Sequence, residues 1–172
     1  MRRSLVVSIA ALAWAACRMP DRPLEPGDKV PAFAASTLDG GEFDGSGLAG
    51  APYMLNIWAT WCAPCRHEMP ELQELHDKYA GQGFRVVGVS VDDRGSRETI
   101  VEFLGEVGVD FPIYHDPSWE IAEKYGLVGL PGTFLVDAEG RFVQRWTGGF
   151  MPMAEDVQES VRRVLAAMPG RS

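Results

Sequence analysis

The chain has 172 residues, 46% of them hydrophobic, with no long low-complexity stretch and no internal repeat, which is enough for one domain with a genuine core plus a tail. Its 24 acidic and 16 basic residues leave a net charge of −8. That balance excludes nucleic acid as a partner and offers no basic surface to anionic lipid.

The N-terminus is patterned as a targeting segment. Arg2 and Arg3 precede an apolar run from Leu5 to Ala16, the form of a secretory leader and too short for an ordinary bilayer span. The mature protein is therefore expected outside the cytoplasm. Two processing routes compete. Ala13-Trp14-Ala15 satisfies the small-x-small cleavage rule. Trp14-Ala15-Ala16-Cys17 instead looks like a bacterial lipobox, with Trp14 where leucine is usual, and would leave Cys17 lipidated at the new N-terminus. The lone cysteine at the end of the apolar run tips the reading toward a lipid anchor, and a discarded or buried cysteine is its alternative. Leader residues 1–17 are thus followed by residues 18–30, whose Pro-rich Met19 to Pro26 is expected to form an extended tether. The domain is expected over 31–168, with a tail at 169–172.

Lys29 to Phe33 and Ser36 to Gly41 predict a short strand and turn, with Glu42-Phe43 opening the return strand and Asp39-Gly40 marking the turn. Tyr53 to Ala59 is almost continuously apolar and predicts a central strand. After it, Met69, Leu72, Leu75 and Tyr79 recur at helical spacing, with Pro70 inside the pattern expected to kink the helix. Phe84 to Val91 predicts a strand, Ile100 to Val107 an amphipathic helix, and Phe111 to Tyr114 a short strand. Asp116-Pro117 has the form of an N-cap followed by proline at the first helical position, with the helix ending at Gly126. Thr133–Val136 and Arg141–Trp146, joined by Asp137 to Gly140, predict a hairpin, and Val157, Val161, Val164, Leu165 and Met168 a closing amphipathic helix. Strands interleaved with helices in this order define a mixed α/β sandwich.

The chemistry sits where the central strand hands over to the first helix, at Trp58-Ala-Thr-Trp61-Cys62-Ala63-Pro64-Cys65. Free N–H groups and the positive end of the macrodipole favour an anion at a helix start, so Cys62 is expected to have a lowered pKa and to be partly thiolate. Cys65, one turn on, is placed to resolve a mixed disulfide formed by Cys62. Other uses of the spacing fail. Zinc would need a second pair of soft ligands, and the third cysteine, Cys17, is alone. Covalent haem needs histidine directly after the second cysteine, where Arg66 stands, with His67 one place late. A peroxidase-type cysteine carries Pro-x-x-x-Thr-x-x-Cys, but Leu55 and Ala59 occupy those places.

The strand–WCxxC–helix unit, Pro70, and Gly129-Leu130-Pro131-Gly132-Thr133 ahead of a hairpin together resemble the thioredoxin fold over roughly Pro31 to Met168. Asn56-Ile-Trp58-Ala-Thr-Trp61, Glu68-Met-Pro70, and the helix and strand between Gly95 and Tyr114 are similar to the TlpA/ResA/CcmG branch of extracytoplasmic thiol–disulfide oxidoreductases. The resemblance implies a thioredoxin-like three-layer sandwich with a central mixed sheet, an N-terminal strand extension and a helix–strand insertion. It also implies that Pro131 is a cis-proline facing the cysteines, with Leu130 offering its backbone to an extended substrate strand and Trp61, Ala63 and Pro64 contacting it. Gly132 departs from the threonine usual after that proline.

Asn56 stands where classical thioredoxins bury an aspartate, and Glu68 matches a glutamate of this branch. Two roles are open to Glu68: a partly buried carboxyl with a raised pKa that passes protons to and from Cys65, or a residue that only complements the helix dipole or faces water. His67 is expected to be exposed, and His76 and His115 structural or on the surface. No organic cofactor or metal is implied. The activity implied is reduction of disulfides in client proteins on the periplasmic side of a bacterial envelope. The resemblance adds a membrane thiol reductase as donor and clients of the cytochrome c or copper-site maturation type. A thiol oxidant of the same fold is one alternative, and a Cu(I) carrier using Cys62 and Cys65 another, although Met54 and Met69 stand at core-like positions.

Overall fold

The computed structural model describes residues 23–168. The targeting segment, both cleavage alternatives and Cys17 lie outside the described residues, as does the tail at 169–172.

Seven strands form one mixed sheet: β1 (Ala34–Thr37), β2 (Glu42–Asp44), β3 (Tyr53–Trp58), β4 (Arg85–Ser90), β5 (Ile113–His115), β6 (Gly132–Val136) and β7 (Phe142–Thr147). Four helices join them: α1 (Ala63–Ala80), α2 (Arg97–Val107), α3 (Glu120–Lys124) and α4 (Glu155–Ala166). The strand order is β2-β1-β5-β4-β3-β6-β7. β3 pairs parallel to β4, and β4 to β5, while the remaining pairs are antiparallel. Among the described residues no helix is long and apolar enough to cross a membrane.

β3 is buried along its whole length, as a strand with sheet on both sides and helices on its faces must be. Its crossovers through α1 to β4 and onward through α2 to β5 run in the same direction across the sheet. Right-handed connections therefore place both helices on one face. Met69, Leu72 and Leu75 of α1 are fully buried, each contributing about 1.5–3 kcal/mol of hydrophobic stabilisation. The helix passes through Pro70 without ending. α4 joins this face, since Gln158 Oε1 accepts from Lys78 Nζ at 2.6 Å and from the Tyr79 hydroxyl at 3.1 Å. On β6, Thr133 bonds toward this face through Asn56, so its neighbour Phe134 points to the other face. There Phe134 meets Tyr125, at the end of α3, with ring centroids 4.9 Å apart, and Tyr125 in turn meets Phe33.

Three expectations shift. The first strand lies at Ala34–Thr37 rather than Lys29–Phe33, because the earlier stretch is used on the opposite side of the fold. Gly27 N–H donates to Phe142 O, Phe142 N–H to Asp28 O, and Val30 N–H to Gly140 O, each near 3 Å. Consequently the described end of the expected tether, from the buried Leu24 to Val30, is docked along the β6–β7 hairpin. Finally, Asp116 is not the N-cap of α3, which begins only at Glu120 with Trp119 as its cap. Asp116 still serves the helix start, because its Oδ2 accepts the Ile121 N–H at 2.8 Å.

Candidate active site

Cys62 is the N-cap of α1, and its Sγ accepts the Cys65 N–H at 3.3 Å. Extended backbone at Cys62 and proline in the first turn start the helix here. The two sulfurs are joined as a disulfide with Cα atoms 5.3 Å apart. Cys62 keeps 4% of its surface and Cys65 none, so an incoming thiol or disulfide meets the pair through Cys62. Ala63 and Pro64 are exposed above the bridge.

The turn that delivers Cys62 is held from β4. Asp92, 2% exposed, accepts the Thr60 N–H at 2.9 and 3.2 Å, the Thr60 hydroxyl at 2.6 Å and the Ser90 hydroxyl at 2.7 Å. Arg66 closes the turn from the helix side, donating to Thr60 O at 3.3 Å while its guanidinium lies 4.4 Å above the Phe103 ring. Sequence reasoning missed Asp92. It follows a strand as one of two adjacent aspartates, and nothing local marks a partner 32 residues away.

Glu68 lies one turn beyond Cys65 and is 2% exposed. It therefore does not face solvent. Its Oε1 accepts from Asn56 Nδ2 at 2.7 Å, and Asn56 also donates to Thr133 Oγ1 at 2.8 Å. Burial raises the Glu68 pKa to about 8, against the smaller opposing pull of the Asn56 hydrogen bond. At neutral pH the carboxyl is mostly protonated.

The Leu130–Pro131 bond is cis. Because Gly132 is paired with Ile57, Pro131 stands level with the end of β3, where the chain turns toward Cys62. Leu130 is half-buried and Pro131 buried. The Gly148 N–H donates to Pro131 O at 3.0 Å, and the next residue, Gly149, abuts Pro64 so closely that a Cβ there would lie 3.3 Å from the Pro64 Cβ. Gly132 has its own steric reason: a Cβ would meet the Leu127 side chain at 2.3 Å, so Leu127 fills the space a larger residue would take.

Trp58 is wholly buried, whereas Trp61 is 63% exposed and stacks on Trp119. His67 is exposed. His76 and His115 are structural: His76 Nδ1 accepts the Val86 N–H at 3.1 Å, and His115 Nε2 bonds Asp92 O at 2.8 Å. Met54 and Met69 are fully buried in the core, so neither thioether is presented to the cysteines' solvent side.

A thioredoxin-like sheet with a dithiol at the start of a helix and a cis-proline at the neighbouring strand defines a thiol–disulfide oxidoreductase. The comparisons agree. The AhpC/TSA family model matches residues 26–145. The ResA thiol–disulfide oxidoreductase of Geobacillus thermodenitrificans is 33% identical over 138 residues, 80% of this chain and 77% of that one. A solved Chlorobium tepidum chain assigned to the DsbE thiol:disulfide interchange proteins superposes with a TM-score of 0.75 at 31% identity, covering 83% of this chain and 99% of that one. A solved secreted thiol–disulfide isomerase of Corynebacterium glutamicum gives 0.71 at 26% identity, covering 87% and 96%. The chain belongs to the AhpC/TSA family and, within it, to the ResA-like thiol–disulfide oxidoreductases.

Proposed function

We propose that this oxidoreductase works as a reductant of client-protein disulfides outside the cytoplasm. The observation that carries the reading is the pair Cys62–Cys65 at the start of α1, with Cys62 the more accessible sulfur. In the reduced protein the Cys62 thiolate attacks a client disulfide, forming a Cys62–client disulfide and releasing the first client sulfur, which takes up a proton. The Cys65 thiol, on losing its proton, attacks Cys62, releases the second client sulfur as a thiol and leaves the Cys62–Cys65 disulfide. Two electrons and two protons pass to the client. A membrane thiol reductase returns them.

Glu68 acts as the local proton store. A carboxyl with a pKa of about 8, one turn from Cys65, exchanges a proton near neutral pH, as a relay to the resolving thiol requires. Trp61, Ala63 and Pro64 on one side and Leu130 and Pro131 on the other frame the path of the client segment. The basic–apolar leader pattern of residues 1–17 supports an extracytoplasmic site, with anchoring through Cys17, and the similar Corynebacterium glutamicum protein is named as secreted. Clients of the cytochrome c or copper-site maturation type complete the reading.

Trapping tests it. Cys65→Ser in the intact chain should accumulate mixed disulfides through Cys62, identified by mass spectrometry. Equal trapping by Cys62→Ser would reverse the two roles, and a dithiol that equilibrates with glutathione as a strong oxidant would reverse the direction.

A further inference from the structure

Trp119 has a φ of +64° and is the one non-glycine residue with positive φ among the described residues. For a bulky side chain this left-handed conformation is strained and persists where its surroundings over-determine it. Here they do. The Asp116 carboxylate, 5% exposed, accepts the Ser118 N–H at 3.1 Å and the Ser118 hydroxyl on Oδ1, and the Ile121 N–H at 2.8 Å on Oδ2. The Asp116 N–H is itself fixed to Ser90 O at 2.8 Å. Glycine would adopt the same turn without strain, so the turn does not call for an indole.

The indole lies against Trp61, with ring centroids 6.2 Å apart and planes 20° from parallel. Trp61 directly precedes Cys62 and remains 63% exposed, while the half-buried Trp119 also packs on the edge of the core, so the pair is a two-ring surface beside the reactive sulfur. The loops next to Pro131 and Pro64 expose apolar side chains as well. Among the described residues the exposed large apolar side chains are Trp61, Val101, Val128 and Met151. Val128 lines the same hollow as Leu130 and Gly148, next to the Gly149 that abuts Pro64, and Met151 follows the same loop. Scattered exposed apolar residues need no explanation, but two stacked indoles beside a reactive sulfur do.

We infer that the Trp61–Trp119 pair is a client subsite that takes an apolar, preferably aromatic, side chain adjacent to the client's disulfide cysteine, with Trp119 as its specificity-determining residue. The inference rests on the proposed exchange at Cys62 and names the client chemistry of that site. Offset or edge-on packing against two indoles favours an aromatic side chain beyond its buried area.

The test offers the reduced full chain peptides that carry one cysteine as a mixed disulfide with glutathione, with Phe, Ser or Lys beside it. Each turnover forms the Cys62–Cys65 disulfide and releases peptide and glutathione as thiols. In single turnover the Phe peptide is expected to react with a second-order rate constant about tenfold above that of the Ser peptide, the size of discrimination an apolar contact gives. Trp119→Gly should abolish that ratio in an oxidised protein that still unfolds cooperatively, because the strain relieved by glycine offsets part of the lost packing. Trp119→Asn, which also tolerates the left-handed region, should repeat this, and Trp119→Phe should restore the preference. Equal wild-type rates for Phe and Ser, a faster Lys peptide, or a preference that survives Trp119→Gly would each overturn the inference. Failure of the reduced wild type to react even with oxidised glutathione would reject the exchange reading beneath it.

Discussion

Asn56 Nδ2 donates to Glu68 Oε1 across 2.7 Å, joining the strand that leads into the dithiol to the helix that carries it. Glu68 Oε2 and Asn56 Oδ1 are both buried without a hydrogen-bond partner among the described residues. A neutral carboxyl loses less on burial there than an ionised one would. The raised Glu68 pKa follows from that.

This gives stability a pH dependence of definite sign. The ordinary Glu68 value is 4.5 and the folded value about 8, so between them the native state binds more protons than the unfolded state. The stabilising contribution is complete below about 4.5 and lost as pH rises through 8, with a slope of up to ~1.4 kcal/mol per pH unit within that window. Glu68→Gln, which retains an oxygen for Asn56, should flatten the slope and gain on the wild type at high pH. Urea unfolding of the oxidised proteins between pH 5 and 9 reads this directly, and parallel curves would contradict it.

Asp92 anchors the other side of the same turn. Asp92→Ala leaves the Thr60 N–H, the Thr60 hydroxyl and the Ser90 hydroxyl without their acceptor, at an expected cost of about 2–4 kcal/mol. Denaturant unfolding with the disulfide intact measures it. A loss below about 0.5 kcal/mol would place the anchor elsewhere.

The sequence made visible what depends on local spacing. The dithiol between an apolar strand and a periodic helix, the buried face of α1, the β6–β7 hairpin and the cis-proline implied by the family pattern all stand where their residues pointed. Long-range partners were not visible. Thr60 and Asp92 are held by bonds across two strands, and neither position differs locally from a polar loop. Asp116-Pro117 carried the signature of a helix start, yet the left-handed Trp119 intervenes and the helix opens later. Lys29 to Phe33 looked like the first strand because backbone pairing with a distant hairpin leaves no periodicity to distinguish the two.

Gly132 and Leu127 compete for one space. Gly132→Ala would bring its Cβ to 2.3–2.9 Å of the Leu127 side chain and should destabilise the protein by about 1–3 kcal/mol. Leu127→Ala combined with Gly132→Ala should recover part of that loss, a non-additive coupling of neighbours. Melting temperatures of the two single variants and the double variant decide. Simple additivity would mean that the clash is relieved by backbone movement instead.

The central claim is that the start of α1 makes one sulfur acidic and the other its resolver. The direct measurement is the pH dependence of iodoacetamide alkylation of the reduced chain, read separately at Cys62 and Cys65 by mass spectrometry. The account predicts Cys62 reacting first, with a pKa clearly below the ordinary thiol value of about 8.5, and Cys65 protected until higher pH. Alkylation of Cys62 only at or above that ordinary value, or of Cys65 ahead of it, would contradict the account.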